Sequence, residues 1–420
     1  MKRFLHILLT AVLVVFTTGC IDWFTPTQVE KRMVLLYIAA TESALSPYAD
    51  GNITDMLSGY VPAKGSREQE LLVFFQNRDI NSSTQRSEAT LSRYYSNRSG
   101  EVVKEVIRTW GEDFDCCTPE SFAEVLATAE KTCKPTYRCL LFSSHGTGWM
   151  PAGYYDGKGE DDGGGEESVM LRIPSKSTGE GDVSHLSRLH ISESIGYDAP
   201  TGNEIDIRDF ATELGKYHWE SALLDCCYMG TIEVAYQLRN CCDWIIGSPT
   251  EILITGFPYP VILDQLFNHP GREGLVCICQ KYYELYQGQS GQLQSGTIGL
   301  TKCIELDRLA DICAAIVNEN RVAMSGIYRN GVQHYFYRAN KDFFFDFSHY
   351  FEQFATKESF AEFTAQLNLA VPYKNTTAKF LGLDMLHYSG LSCYIPSDKY
   401  PKLNAYYKQL AWNQKVKVIE

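Results

Sequence analysis

Two short stretches of the 420-residue sequence place reactive side chains beside glycines at the ends of apolar runs. In residues 140–149 (LLFSSHGTGW) the apolar run gives way to Ser143 and Ser144, delivers His145, and turns on Gly146 and Gly148. In residues 221–230 (SALLDCCYMG) a second run ends in Asp225, Cys226 and Cys227, just before a helical pattern that starts near Thr231. A thiol between a strand end and a helix N-terminus sits where the helix dipole favours the thiolate. An imidazole facing it makes a nucleophile at neutral pH: histidine takes the thiol proton and later gives it to a leaving amine. Glycine beside the histidine lets backbone N–H groups approach a ligand, as an oxyanion hole requires. Taken singly, a packed histidine or a buried structural cysteine would look the same. It is the pair, each member at a strand end, that points to chemistry.

For these residues to meet, the runs that carry them must lie side by side. Residues 33–39, 71–75, 139–142, 222–224 and 244–246 are short and apolar on both faces, which suits the buried strands of a parallel sheet. Helical patterns fall between them, at 102–110, 121–131, 207–214 and 231–238. The alternation predicts an α/β fold, a doubly wound, mostly parallel sheet with helices on both faces. In such sheets the ends of the strands form the binding crevice. Past residue 300 the chain becomes aromatic-rich, as in 335–337 (YFY) and 343–345 (FFF). That change places a boundary between a main domain over 32–300 and a C-terminal subdomain over 301–420.

The net charge of -13 argues against general nucleic-acid binding, which depends on Lys and Arg neutralising phosphates, and suits a protein or peptide partner. Residues 1–20 combine Met1-Lys2-Arg3 with an apolar run too short to span a bilayer, and read as a cleaved export signal. Gly19-Cys20 resembles the bacterial lipobox, which makes Cys20 the lipidated new N-terminus and 21–31 a tether. The expected location is the cell envelope, with the membrane reached through the lipid anchor alone. Without Cys20, thirteen of the fourteen cysteines remain, an odd number that leaves at least one thiol outside any intrachain disulfide. Most are expected to be small buried hydrophobes, and their spacing does not match a zinc site. Residues 156–167, rich in glycine and acid, are expected to form an exposed flexible loop and lack the regular oxygen-ligand spacing of a calcium loop. No metal or other cofactor is expected on these grounds, with calcium the one alternative left open, though no clear motif supports it.

The two motifs together resemble the clostripain family of cysteine peptidases, relatives of caspases, gingipains and legumains. Residues 145–149 (HGTGW) match that family's His-Gly-x-Gly-Trp, and 225–230 (DCCYMG) resemble its Asp-Ala-Cys-x-Met-Gly. Further similarity lies in 34–40, in Gly247-Ser248 with 256–259, and in 390–396, so it runs over roughly residues 32–412. The resemblance implies a caspase-like fold with His145 as general base and acid and Cys227 as nucleophile. Cys226 then takes the alanine position, in keeping with the alternation of neighbouring side chains along a strand. It also implies Gly146 N–H and Cys227 N–H as oxyanion donors. Asp225 becomes the pocket residue for a P1 Arg or Lys. Ser144 stands where relatives often carry an acid, and neither Glu251 nor Thr255 clearly matches a second acidic pocket residue. Relatives can mature by self-cleavage between the histidine and the cysteine, where Lys158 and Lys176 are the accessible basic residues. The alternative is a catalytically silent surface lipoprotein of the same fold that binds a peptide or glycan. A thiol–disulfide oxidoreductase fits poorly, because its cysteines are normally separated by two residues.

Overall fold

The computed structural model describes residues 30–42, 45–154, 195–335 and 343–420. Cys20, Lys158 and Lys176 lie outside the described residues, as does the acidic stretch 156–167. The five apolar runs become five adjacent parallel strands. These are β1 (Arg32–Ala40), β2 (Gln69–Asn77), β5 (Tyr137–Ser143), β8 (Trp219–Asp225) and β9 (Cys242–Gly247), in the spatial order 9-8-5-1-2. Two antiparallel strands continue the sheet at each edge: β3 (Thr90–Ser96) and β4 (Val102–Thr109) beyond β2, and β10 (Thr297–Lys302) and β12 (Tyr373–Thr376) beyond β9. A small hairpin of β6 (Ile195–Asp198) and β7 (Asn203–Ile205) and a two-residue strand β11 (Phe345–Asp346) lie outside this sheet.

Helices cover both faces. On one side α1 (Ser46–Leu57) packs on α5 (Tyr259–Asn268), which in turn packs on α6 (Arg272–Gln287). On the other, α2 (Pro119–Cys133) packs on α3 (Ile207–Leu214) and α3 on α4 (Ile232–Leu238). α7 (Leu306–Glu319) packs on the Lys357–Ala370 and Ala411–Val416 helices. β1 is buried along nearly its whole length, because a central parallel strand is covered above and below. Its Tyr37 stacks between Phe74 and Phe142 at 4.4 and 5.1 Å, and its O–H donates to the Cys116 carbonyl at 2.7 Å. The hydroxyl is thus satisfied inside an otherwise apolar aromatic layer.

One element departs from the sequence reading. Residues 102–110, expected as a helix, form edge strand β4. Apolar residues at 102, 103, 106, 107 and 110 do fit a helical period. Three valines and an isoleucine, however, are stiff β-branched residues, and a four-residue turn at Asn97–Gly100 brings the segment back against β3. Local pairing decided the outcome. Lys31–Glu420 forms one compact unit. Position 300 falls within β10, and the residues after it supply β12 to the same sheet. The thirteen cysteines among the described residues are all unbridged, and all but Cys277 are buried.

Candidate active site

The C-terminal ends of β1, β5, β8 and β9 lie side by side, and the residues just past them read across the sheet as Glu42, His145, Cys227 and Ile252. Strand order reverses between β1 and β5, so the crevice at their ends is a topological switch point, the usual ligand site of open α/β sheets. His145 and Cys227 are both essentially inaccessible, at 0% and 1% of their surface.

The histidine turn and the cysteine loop are in van der Waals contact because residue 146 has no side chain. A Cβ on Gly146 would lie 2.8 Å from both the Cys227 carbonyl oxygen and the Cys226 Cβ. Gly148, at φ +66°, adopts the left-handed conformation that glycine accepts freely, and a Cβ there would lie 2.7 Å from the Tyr228 oxygen. Both glycines of the motif therefore serve to seat the histidine turn on the backbone that carries Cys227. β6 flanks the turn on another side: Gly196 N–H donates to the His145 carbonyl at 3.1 Å, and the Tyr197 ring meets the imidazole edge-on at 6.4 Å. Gly146 and Ile195 form a bridge there. β6 is in turn pinned by a buried two-pronged ion pair between Arg86 and Asp198, with Nε to Oδ1 at 2.7 Å. Geometry of this kind gives a strong, directional anchor.

Imidazole Nε2 lies 3.3 Å from a Glu42 carboxylate oxygen, and both side chains are buried. On the thiol side, the Ile252 N–H donates to Cys227 Sγ at 3.3 Å. The sulfur's backbone donor thus comes from the loop after β9. At the start of α4, Thr231 Oγ1 already accepts from Val234 N–H at 3.1 Å, so the helix N-terminus is capped by its own residue. Between Cys227 and the helix, Tyr228 holds a left-handed backbone at φ +59°, which is unfavourable for a bulky residue. Its N–H donates to the Thr250 carbonyl at 2.9 Å, its O–H donates to Glu251 at 3.3 Å, and its ring stacks on Phe344 at 4.4 Å. These contacts hold the turn that aims the thiol. Neither Glu42 nor Phe344 has a local signal in the sequence, since both act through contacts between distant segments.

Asp225 pairs in register with Ser143 on the neighbouring strand and is fully buried. One of its oxygens accepts from Ser143 Oγ–H at 2.8 Å and from Tyr259 O–H at 2.6 Å, tying β8 to β5 and to α5. A cavity of about 10 Å³ adjoins, lined by Ile38, Ala40, Asn52, Met56, Ser143 and Tyr259. That volume holds about one water molecule, far less than a Lys or Arg side chain needs.

The C-terminal segment buttresses both loops. Trp149 packs between Tyr394 and Tyr407, with ring centres at 4.9 and 5.0 Å, and Ser392 N–H donates to the Gly230 carbonyl at 2.9 Å. This gives the similarity seen in residues 390–396 a physical reason. In α4, Glu233 accepts from Tyr394 N–H and Tyr407 O–H, both at 2.8 Å, and burial pushes its carboxyl up to about 7. Among the described residues His349, Glu352 and His387 also gather ligand atoms within 4.8 Å of one another. There His349 Nδ1 accepts from Gln333 N–H at 3.0 Å, which leaves the ring proton on Nε2 and neither nitrogen suited to a metal.

Comparison with known proteins agrees with this architecture. A profile of the clostripain family (Peptidase_C11) matches residues 180–415, a span that contains Asp225 and Cys227 and begins after His145. An inactive zymogen C11 protease from Parabacteroides distasonis is 28% identical, with 92% of this chain and 98% of that one covered and a TM-score of 0.73. A secreted C11 cysteine protease from Bacteroides thetaiotaomicron, solved with an irreversible peptide inhibitor, is 24% identical. It covers 92% of this chain and 99% of its own, with a TM-score of 0.71, and shows a shared fold. No curated protein matches the sequence.

Proposed function

This chain belongs to the clostripain family of cysteine peptidases, and we propose that it is an exported endopeptidase that cleaves after Arg or Lys with His145 and Cys227 as its dyad. The observation that carries the assignment is the seating of the His145 turn directly on the Cys227 backbone through Gly146. In the proposed reaction the thiolate attacks the scissile carbonyl carbon and a C–S bond forms. The oxyanion that develops is met by the N–H groups of Gly146 and Cys227. Support for Gly146 comes from its non-hydrogen-bonded antiparallel pairing with Ile195, in which Gly196 N–H bonds to the His145 carbonyl and the N–H of residue 146 turns away from β6. The C–N bond then breaks as imidazolium protonates the leaving amine, and water assisted by the same imidazole hydrolyses the thioester.

Asp225 is the proposed partner of the basic P1 side chain. In the described state it is satisfied by Ser143 and Tyr259, and the adjoining cavity, at about 10 Å³, is too small for a Lys or Arg side chain. Together with the burial of both reacting groups, this supports an inactive precursor. Cleavage after Lys158 or Lys176 is the proposed trigger that opens it. Substrates are then proteins or peptides, and the enzyme is held in the cell envelope by lipid on Cys20. Among the described residues no helix is long and apolar enough to cross a membrane. The test is covalent labelling with a peptidyl electrophile ending in Lys, followed by peptide mapping. The label should fall on Cys227 and should be competed by Lys- or Arg-ended peptides but not by Asp-ended ones. Label on Cys226, or no label on a chain that has been cut, rejects the assignment. The second of those results favours a silent binding protein.

A further inference from the structure

Glu42 follows β1 by two residues, on the strand next to the one that delivers His145, and the register aligns Ile38 with Ser143. Stepping two residues along each strand brings position 40 level with position 145, so a side chain as long as glutamate reaches the imidazole. We propose that Glu42 is a positioning residue for His145, its carboxylate holding Nε2 so that Nδ1 is the nitrogen presented to Cys227. The proposal deepens the dyad reading and rests on it.

The pairing is close, at 3.3 Å, and both side chains are withdrawn from water. A buried carboxylate is costly unless a positive group compensates it, and an imidazolium does so. Glu42 therefore favours the protonated ring, the form that pairs with a thiolate, and fixes which nitrogen faces it. The end of β1 is itself anchored: Thr41 Oγ1 donates to the Tyr197 carbonyl at 3.2 Å, and the neighbouring Gly196 N–H bonds to the His145 carbonyl. Among the described residues Tyr197 on β6 meets the ring edge-on, and the strand beside that of His145, β8, ends in Asp225 two residues before Cys227. Asp225 is engaged by two hydroxyls. During acylation the proton passes from His145 to the leaving amine.

The experiment compares processed wild type with Glu42→Gln and Glu42→Asp. Active sites are counted with an irreversible thiol-directed peptide inhibitor, so that kcat is expressed per intact site. Glu42→Gln should lose roughly 10- to 100-fold in kcat with KM within about twofold, by analogy with the loss of the carboxylate that orients a metal-bound histidine. The acid limb of the kcat/KM–pH profile should move to lower pH, because the imidazolium loses its anion, and Glu42→Asp should recover part of both. A purely structural role would lower the number of titratable sites and leave kcat per site and the pH limb unmoved, and that result overturns the proposal. Glu42→Asn serves for the same two readings if Glu42→Gln gives no titratable sites. Active wild type with an unchanged Glu42→Gln variant overturns the positioning role alone. A wild type with no Cys227-dependent turnover overturns the dyad reading and this one with it.

Discussion

Gly148 shows how little room the histidine turn has. Alanine there would carry the left-handed φ of +66° and a Cβ 2.7 Å from the Tyr228 oxygen. The backbone penalty alone is about 1–2 kcal/mol, and relief of the clash must displace the cysteine loop. Gly148→Ala should lower stability by roughly 3 kcal/mol in a denaturant melt, an amount that joins strain to overpacking, and should lower turnover in step. Phe344→Ala should cost about 3–5 kcal/mol through the void left under Tyr228. An unchanged melting midpoint would show that the stack does not support the turn. The chemistry at this scale was half legible in the sequence. The local pattern marks His145-Gly146 and the Cys226-Cys227 pair at strand ends, and only the family resemblance singles out Cys227. Glu42, Tyr197 and Phe344 carry no such mark, because what each does depends on register or on packing between segments far apart in sequence.

Among the elements, α4 links the Cys227 loop to the C-terminal segment through Glu233. Its carboxyl is raised from 4.5 to about 7 by burial. Folding therefore favours the protonated form, and this contribution is fully present below about pH 4.5 and is lost as pH rises through about 7. Wild type should lose stability relative to Glu233→Gln over that window, by an amount on the order of a few kcal/mol. Parallel melting curves of the two proteins from pH 4.5 to 8 check this, and a constant difference between them would refute it. The five central strands could be read from the sequence because a doubly covered strand must be apolar on both faces. β4 could not, since an edge strand is free of that demand and its apolar spacing mimics a helix. β10 and β12 were also hidden: the sheet continues through them by antiparallel pairing that no local pattern records.

For the molecule as a whole, the sheet does not stop where the composition changes. β12 completes the edge, and Ser392 and Tyr394 brace the loops that carry Cys227 and His145. Truncation after residue 300 should therefore yield a chain without a cooperative thermal transition, and a truncated protein that melts cooperatively would contradict that dependence. Burial of His145 and Cys227 leads to a further expectation, that activity follows processing. Most direct for the central claim is one kinetic comparison on the processed protein: kcat/KM for a Lys-ended fluorogenic peptide with wild type, Cys226→Ala and Cys227→Ala. To keep processing out of the comparison, each variant is cut by added active enzyme, which is then removed. The dyad account predicts that Cys226→Ala keeps turnover within about tenfold of wild type, a 1.4 kcal/mol allowance for repacking. It predicts that Cys227→Ala loses at least about a thousandfold, as expected for a missing nucleophile. Turnover that survives in Cys227→Ala, or disappears only in Cys226→Ala, would contradict it.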